Sequence, residues 1–252
     1  MAGRAVLVTG ASRGIGRAVA VAFAAAGDRV AVHHRSSPEL AESAVAALSG
    51  EGHAVVRGDL ADADAVRSFV ADAAEALGGI DVLVNNAASF TPRHPPADVS
   101  YEQWQAAWRR IVDVNLLGTA NVTFCALPHL RRATRGGRVV NVSSRGAFRG
   151  EPEVPAYGAS KAGVNSFGQS MALALARDGI AVSTVAPGFV ATDMTNETLK
   201  APRGAEIRAQ SPFGRVARPD EIAAAVLYLA SAEAEWASGA VLDLNGASYL
   251  RT

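Results

Sequence analysis

The sequence predicts one α/β domain spanning residues 1–252, a doubly wound parallel sheet with helices on both faces. Three observations carry that prediction. Short β-branched runs alternate with longer alanine-rich segments of helical period, the pattern of repeated β-α-β units. The chain is 49% hydrophobic and 19% charged, enough to bury one sizeable core. Glycine-rich and polar motifs fall at the ends of the strand runs, where ligands bind in such sheets.

Seven strands are expected, at 4–9, 29–33, 54–57, 80–84, 138–142, 180–186 and 240–244. Helices are expected at 15–26, 38–49, 62–77, 101–132, 155–177 and 219–231. No internal repeat, low-complexity tract or linker divides the chain.

The first strand runs into Thr9-Gly10-Ala11-Ser12-Arg13-Gly14-Ile15-Gly16. Glycines let a backbone turn tightly against a pyrophosphate, and the free amides of the next helix favour its negative charge. The spacing is Gly-x-x-x-Gly-x-Gly, where dinucleotide folds more commonly carry Gly-x-Gly-x-x-Gly. With that turn the sheet reads as Rossmann-type.

The second strand ends in His33-His34-Arg35-Ser36, where an acidic residue would bind the 2′-hydroxyl of an adenosine ribose. The acid is missing. Arg35, helped by Arg13 and His34, would instead favour a 2′-phosphate and hence NADP(H); the alternative is a solvated loop charge. After the third strand, Asp59-Leu60 offers a carboxylate for an adenine amino group, or a cap for the helix starting near Asp62. After the fourth, Asn85-Asn86-Ala87-Ala88 supplies small residues for flat packing on a cofactor, or merely a buried polar turn.

Within the long helix at 101–132, Asn115 is a mediocre helix former in an apolar stretch, which predicts a polar job or a local bend. The fifth strand delivers Asn141-Val142-Ser143-Ser144, thirteen residues before Tyr157 at its second serine. A hydroxyl there can hold a substrate carbonyl or cap the strand. Neither serine has a catalytic histidine in an evident nucleophile motif, so proton and hydride transfer fits better than acyl transfer.

Tyr157-Gly158-Ala159-Ser160-Lys161 places a phenol and an ammonium on one face of a helix. A phenol starts near pKa 10, and a cation beside it favours the ionised form. A shift of three units asks about 4 kcal/mol of the surroundings. The alternative is a core tyrosine and a surface lysine at helical spacing.

Charge and cysteine content narrow the partners. Twenty-four basic residues balance twenty-four acidic ones, so no global field favours nucleic acid or an anionic membrane. The single Cys125 excludes an internal disulfide and a cysteine-rich zinc site, and reads as a core residue; no metal is expected. Arg13 and Arg17 before the apolar run 18–26 mimic a signal peptide, but cleavage there would remove the first unit of the fold. No stretch reaches about 18 uninterrupted apolar residues, so a soluble, cytoplasmic protein is expected.

Together these motifs resemble the short-chain dehydrogenase/reductase family over essentially the whole chain. They are Thr9 to Gly16, Asp59-Leu60, Asn85-Asn86-Ala87, Asn115, Ser144, Tyr157-x-x-x-Lys161 and Pro187-Gly188-Phe189-Val190-Ala191-Thr192. The chain looks most like bacterial 3-oxoacyl-carrier-protein reductases and related ketoreductases. The resemblance implies an NADP(H)-dependent enzyme that reduces a ketone or carrier-bound 3-oxoacyl thioester, or oxidises the alcohol. Tyr157 would be the acid, Lys161 would lower its pKa and hold the nicotinamide ribose, Ser144 would orient the carbonyl, and Asn115 would position a relay water. Pro187, Gly188, Val190 and Thr192 would hold the nicotinamide carboxamide. Gly10, Ser12, Arg13, Gly14, Ile15, Gly16, Asp59, Leu60, Asn86 and Ala87 would line the rest of the cofactor. A homotetramer or homodimer is implied, through the helices at 101–132 and 155–177 and the last strand.

One residue departs from the family pattern. Ala88 stands where the family has glycine, which matters if a positive φ is needed there. Substrate choice falls to residues 145–154, to the loop 89–100 with His94 as a solvated residue, and to a lid at about 189–213 rich in Thr, Pro and charge. A nonenzymatic dinucleotide sensor on the same fold is the competing reading, and a sugar-nucleotide epimerase a third.

Overall fold

The computed structural model describes residues 3–251. Seven parallel strands form one sheet in the order β3-β2-β1-β4-β5-β6-β7. They are β1 (Ala5–Val8), β2 (Arg29–His34), β3 (Ala54–Arg57), β4 (Val82–Asn85), β5 (Arg138–Val142), β6 (Ala181–Pro187) and β7 (Val241–Leu244). Strand order reverses between β1 and β4, so the chain diverges there and leaves a crevice beyond the strand ends.

The strands are apolar on both sides because both sides are covered. Along β1, Ala5 and Leu7 face one core while Val6 and Val8 face the other, the period of two expected of a strand. The Val6 side is covered by α1 (Gly14–Ala25), α2 (Pro38–Ala46) and, further along the chain, α10 (Pro219–Leu229), whose Phe23, Ala41 and Val226 are fully buried. The Leu7 side is covered by α3 (Ala63–Leu77), α5 (Gly118–Leu130) and α7 (Pro155–Leu175). Cys125 packs partly buried against this second core.

Helix starts follow local chemistry. Asp62 caps α3 by accepting from the amides of Asp64 and Ala65, and Ser100 forms a reciprocal box with Gln103 at the start of α4 (Tyr101–Val112).

The single helix expected at 101–132 is broken in hydrogen-bond pattern. Residues Asp113–Leu117 form a π-turn between α4 and α5, centred on Asn115. By length and composition the Tyr101–Leu130 run would suffice to cross a membrane, but half of its most apolar window is buried in the fold, against α3 and α7.

The stretch expected to be a lid contains two short helices, α8 (Asp193–Lys200) and α9 (Arg203–Ala209). No residue of α8 is buried, so no apolar stripe marked it, and its signal was the pair Thr192 and Thr195 that closes its N-terminus. A further short turn, α6 (Gly146–Arg149), follows β5.

Candidate active site

The glycine turn is stapled from three strands. Thr9 Oγ1 accepts from the amides of Asn86 (3.0 Å) and Ala87 (3.1 Å), and Asn86 Nδ2 donates to the carbonyls of Thr9 (2.9 Å) and Gly10 (3.1 Å). The Gly10 amide donates to His33 Nδ1 (3.1 Å), whose Nε2 donates in turn to Gly58 O (3.0 Å).

Gly10 and Gly14 have φ of 65° and 58°, which favours glycine. At Gly16 the constraint is space, since a Cβ there would fall 2.4 Å from Gly10 O and 2.5 Å from Asn86 Nδ2. No side chain caps α1, so the amides of its first turn stay free for an anion. Thr192 closes the opposite bank, its Cγ2 3.4 Å from where a Gly14 Cβ would sit. A groove of about 900 Å³ starts at Ser12, Arg13, Gly14 and Thr192 and continues over α1 and α10, along Val21, Ala25 and Leu227. An uncapped helix end and a narrow glycine floor fit a dinucleotide pyrophosphate.

His33 was not singled out in the sequence, because a strand buried on both faces gives no period to mark it. Burial pushes its imidazole down to about 4, with the Gly58 carbonyl opposing. Its folded pKa lies below the unfolded value of 6.5. The stability it supplies is therefore complete above pH 6.5 and lost as pH falls through 4, by up to about 3 kcal/mol. Denaturant titrations from pH 7 to pH 4 should show that loss, and His33→Gln should flatten it. An unchanged slope in the variant would place the acid sensitivity elsewhere.

At the ribose end Arg35 and Arg13 are exposed. His34, expected to join them, is buried and accepts from the Ser37 amide at 3.2 Å. Burial first and Arg57 second lower its pKa from 6.5, which favours the neutral imidazole. Asp59 accepts from the Ala61 amide (3.0 Å) and pairs with Arg110 (3.0 Å). Partial burial pushes its carboxyl up, but Ala61 and Arg110 outweigh this and hold it below the ordinary range. Leu60 turns its side chain into the core under Gly118, leaving only its backbone for a cofactor.

Beyond the crevice, β5 and α7 bring four polar residues together. Ser143 is buried and donates to Lys161 O at 3.1 Å. Ser144 is half-buried and accepts from the Gly146 amide at 3.0 Å, and its hydroxyl lies beside the Tyr157 phenol, whose pKa it lowers. Lys161 is 3% exposed, and its Nζ donates to Val142 O at 2.6 Å. Burial pushes that ammonium down to about 8.

The phenol itself is pushed up to about 12 by burial; Ser144 opposes the shift and Glu151 adds to it. Lys161 Nζ stands 5.9 Å from the phenol ring centroid. The expected lowering of the phenol by Lys161 is thus not what sets it here. Burial dominates, and the lysine is directed at the strand end.

Asn115 is fully buried. Its Nδ2 donates to Ser89 O and Ser160 Oγ, both at 3.0 Å, while Oδ1 accepts from the Ser89 amide at 2.6 Å. Both amide hydrogens are committed, which makes the side chain a clamp between the β4 loop and α7 and leaves it no donor for a water.

Two other expectations meet the structure differently. His94 is 1% exposed, not solvated: Nδ1 bonds Pro92 O (2.8 Å), Nε2 accepts from the Ala156 amide (3.1 Å), and the ring lies edge-on to Trp104. It fixes the loop that sets Phe90 edge-on to Tyr157 at 5.1 Å. Ala88 needs no glycine, because Ala247 is the only non-glycine residue at positive φ among the described residues. On the far wall Gly188 donates to Leu244 O, Val190 bridges to Ala217, and Pro187 O accepts from Arg145.

A family described as enoyl-(acyl carrier protein) reductase matches residues 10–246. The 3-oxoacyl-[acyl-carrier-protein] reductase FabG of Staphylococcus aureus is 35% identical over 249 residues, 98% of either chain. An L-rhamnose 1-dehydrogenase (NAD(P)(+)) of Sphingomonas sp. is 36% identical over 251 residues, 98% of this chain and 97% of the relative. A short-chain dehydrogenase of Burkholderia cenocepacia, solved in complex with NADP, superposes with a TM-score of 0.86 at 33% identity, covering 97% of each chain.

Proposed function

Because the chain belongs to the short-chain dehydrogenase/reductase family, we propose that it interconverts a carbonyl and a secondary alcohol, with NADP(H) as cofactor and Tyr157 as the acid or base. The observation that carries this reading is the meeting of Ser144, Tyr157 and buried Lys161 at the same end of the parallel sheet as the glycine turn. A bound nicotinamide supplies the hydride in reduction and takes it in oxidation.

The chain's own residues position and protonate. Ser144 donates to the substrate carbonyl oxygen and Tyr157 Oη gives that oxygen its proton. Lys161 holds a positive charge behind the phenol, and Ser143 and Asn115 fix α7 against β5 and the β4 loop. The substrate is a ketone or a 3-oxoacyl thioester, bound between Phe90, the 145–154 turn and the α8–α9 lid. A sensor that only bound the dinucleotide would have no use for the serine, the phenol and the lysine together.

Arg35 and Arg13 support a preference for the phosphorylated cofactor, since both guanidiniums are exposed where the 2′ position would lie. Arg35→Asp should lower kcat/KM with NADPH by about 10-fold or more and leave NADH less affected. Equal or better turnover with NADH in the unsubstituted protein would remove this part of the reading.

Self-association is part of the proposal. Leu117 and Phe124 on the α4–α5 run and Leu173 on α7 are 51%, 73% and 84% exposed, an apolar surface of the kind that oligomers cover. Light scattering should give a dimer or tetramer, and a monomer at all concentrations would contradict it.

A further inference from the structure

Glu151 lies in the turn between α6 and α7 and is half-buried. A Cβ built on Gly146 would fall 2.7 Å from its Oε1, and one built on Gly158 would lie 3.8 Å from its Cβ. Those glycines follow Ser144 by two residues and Tyr157 by one. Their missing side chains let the carboxylate settle at the shoulder of the serine–tyrosine pair.

Among the described residues this carboxylate has no hydrogen bond and no ion pair within 4 Å. Arg145, Arg149 and Arg203 face it from further away. Two of the three are held elsewhere, Arg145 by Ser248 at 2.6 Å and Arg149 by Gln210 at 2.9 Å. Burial pushes the Glu151 carboxyl above its ordinary range, and its charge in turn raises the neighbouring phenol.

A carboxylate in that place is unfavourable twice over. Its lone pairs are partly desolvated without a partner, and its charge opposes ionisation of the phenol. A group that carries such a penalty beside the reacting centre is accounted for by what it binds. A carboxylate accepts only, at up to four lone-pair positions, from cationic or neutral donors. The positive charge of Arg145, Arg149 and Arg203 around Glu151 disfavours a cationic ligand and leaves neutral hydroxyl donors.

We propose that Glu151 is a specificity-determining residue that accepts hydrogen bonds from further hydroxyls of the substrate, so that the preferred substrate is a sugar or polyol with hydroxyls beside the reacting carbon. This rests on the oxidoreductase reading above and deepens it, favouring a hydroxylated substrate over a plain acyl chain.

The test compares oxidation by NADP⁺ of a panel of aldohexoses and inositols with that of cyclohexanol, in the unsubstituted protein and in Glu151→Gln. A hydrogen bond to a charged group predicts kcat/KM about 10- to 100-fold higher for the best hydroxylated substrate, expressed in KM. Glu151→Gln should bring that ratio to within about threefold of unity. A structural role would lower both substrates together and leave the ratio standing, which would overturn the proposal while sparing the oxidoreductase reading. So would a preference for cyclohexanol in the unsubstituted protein. No turnover on either set, extended to ketones with NADPH, would sink both readings.

A second measurement needs no substrate. The Tyr157 phenol, followed by ultraviolet absorbance with Tyr157→Phe as the blank, should titrate at lower pH in Glu151→Gln. An unmoved titration would show that the carboxylate does not face the phenol, and the proposal would fall.

Discussion

Tyr157→Phe is expected to keep cofactor binding while losing turnover by about 10³-fold, within the range that a positioned acid or base supplies. No neighbour can take over the proton. Ser144 is a far weaker acid, and Lys161 Nζ is bonded to Val142 O and stands 5.9 Å from the phenol ring centroid. The substitution removes one oxygen and leaves the edge-on contact with Phe90 intact, so the fold should hold.

The pH dependence has a fixed sign. A phenol held at about 12 is protonated throughout the neutral range, so reduction should vary little with pH there. Oxidation needs the phenolate and should rise with pH. Cofactor fluorescence titration and initial rates on both variants check the two halves together. Loss of binding in step with turnover, or substantial activity in the phenylalanine variant, would remove Tyr157 from the role of acid.

Gly16→Ala should have the second largest effect, and by a different route. The added methyl would stand 2.4 Å from Gly10 O and 2.5 Å from Asn86 Nδ2, inside the staple that fixes the turn. Backbone and amide cannot both retreat, because Thr9 and His33 hold the same turn from β1 and β2. Overpacking of this kind costs about 1–3 kcal/mol of stability, and the displaced amides lose their aim at the pyrophosphate. We expect NADPH affinity to fall about 100-fold or more, with a lower midpoint in denaturant. Affinity within threefold of the unsubstituted protein would show that the turn does not carry the cofactor.

Much of this architecture was legible in the chain because burial writes a pattern. All seven strands lie within two residues of their expected positions, since β-branched runs bounded by polar residues admit few other readings. The residues of the candidate site stood out for a related reason. Glycines at a strand end, a tyrosine and lysine at helical spacing and an asparagine inside an apolar helix each break a local preference. Asn115 predicted a polar job or a local bend, and both a π-turn and a hydrogen-bonded side chain are found there.

What escaped was structure whose signal is spatial. His33 and His94 look like surface residues beside other polar groups, yet each is buried by the lone carbonyl and amide it bridges. Helix α8 has no buried face and therefore no period. The level of the phenol depends on how deeply α7 sits, which spacing along the helix does not encode, and burial outweighs the lysine four residues on.

The central claim is that Tyr157 and a bound nicotinamide act together on a carbonyl. Its most direct measurement is the loss of NADPH absorbance with ketones, β-keto thioesters and keto sugars, product analysed alongside. The account predicts that at least one carbonyl compound is converted to its secondary alcohol, one for each NADPH consumed, and that Tyr157→Phe stops this while still binding the cofactor. NADPH bound tightly with no carbonyl reduced and no alcohol oxidised anywhere in the panel would contradict it, leaving a dinucleotide-binding protein that does no redox chemistry.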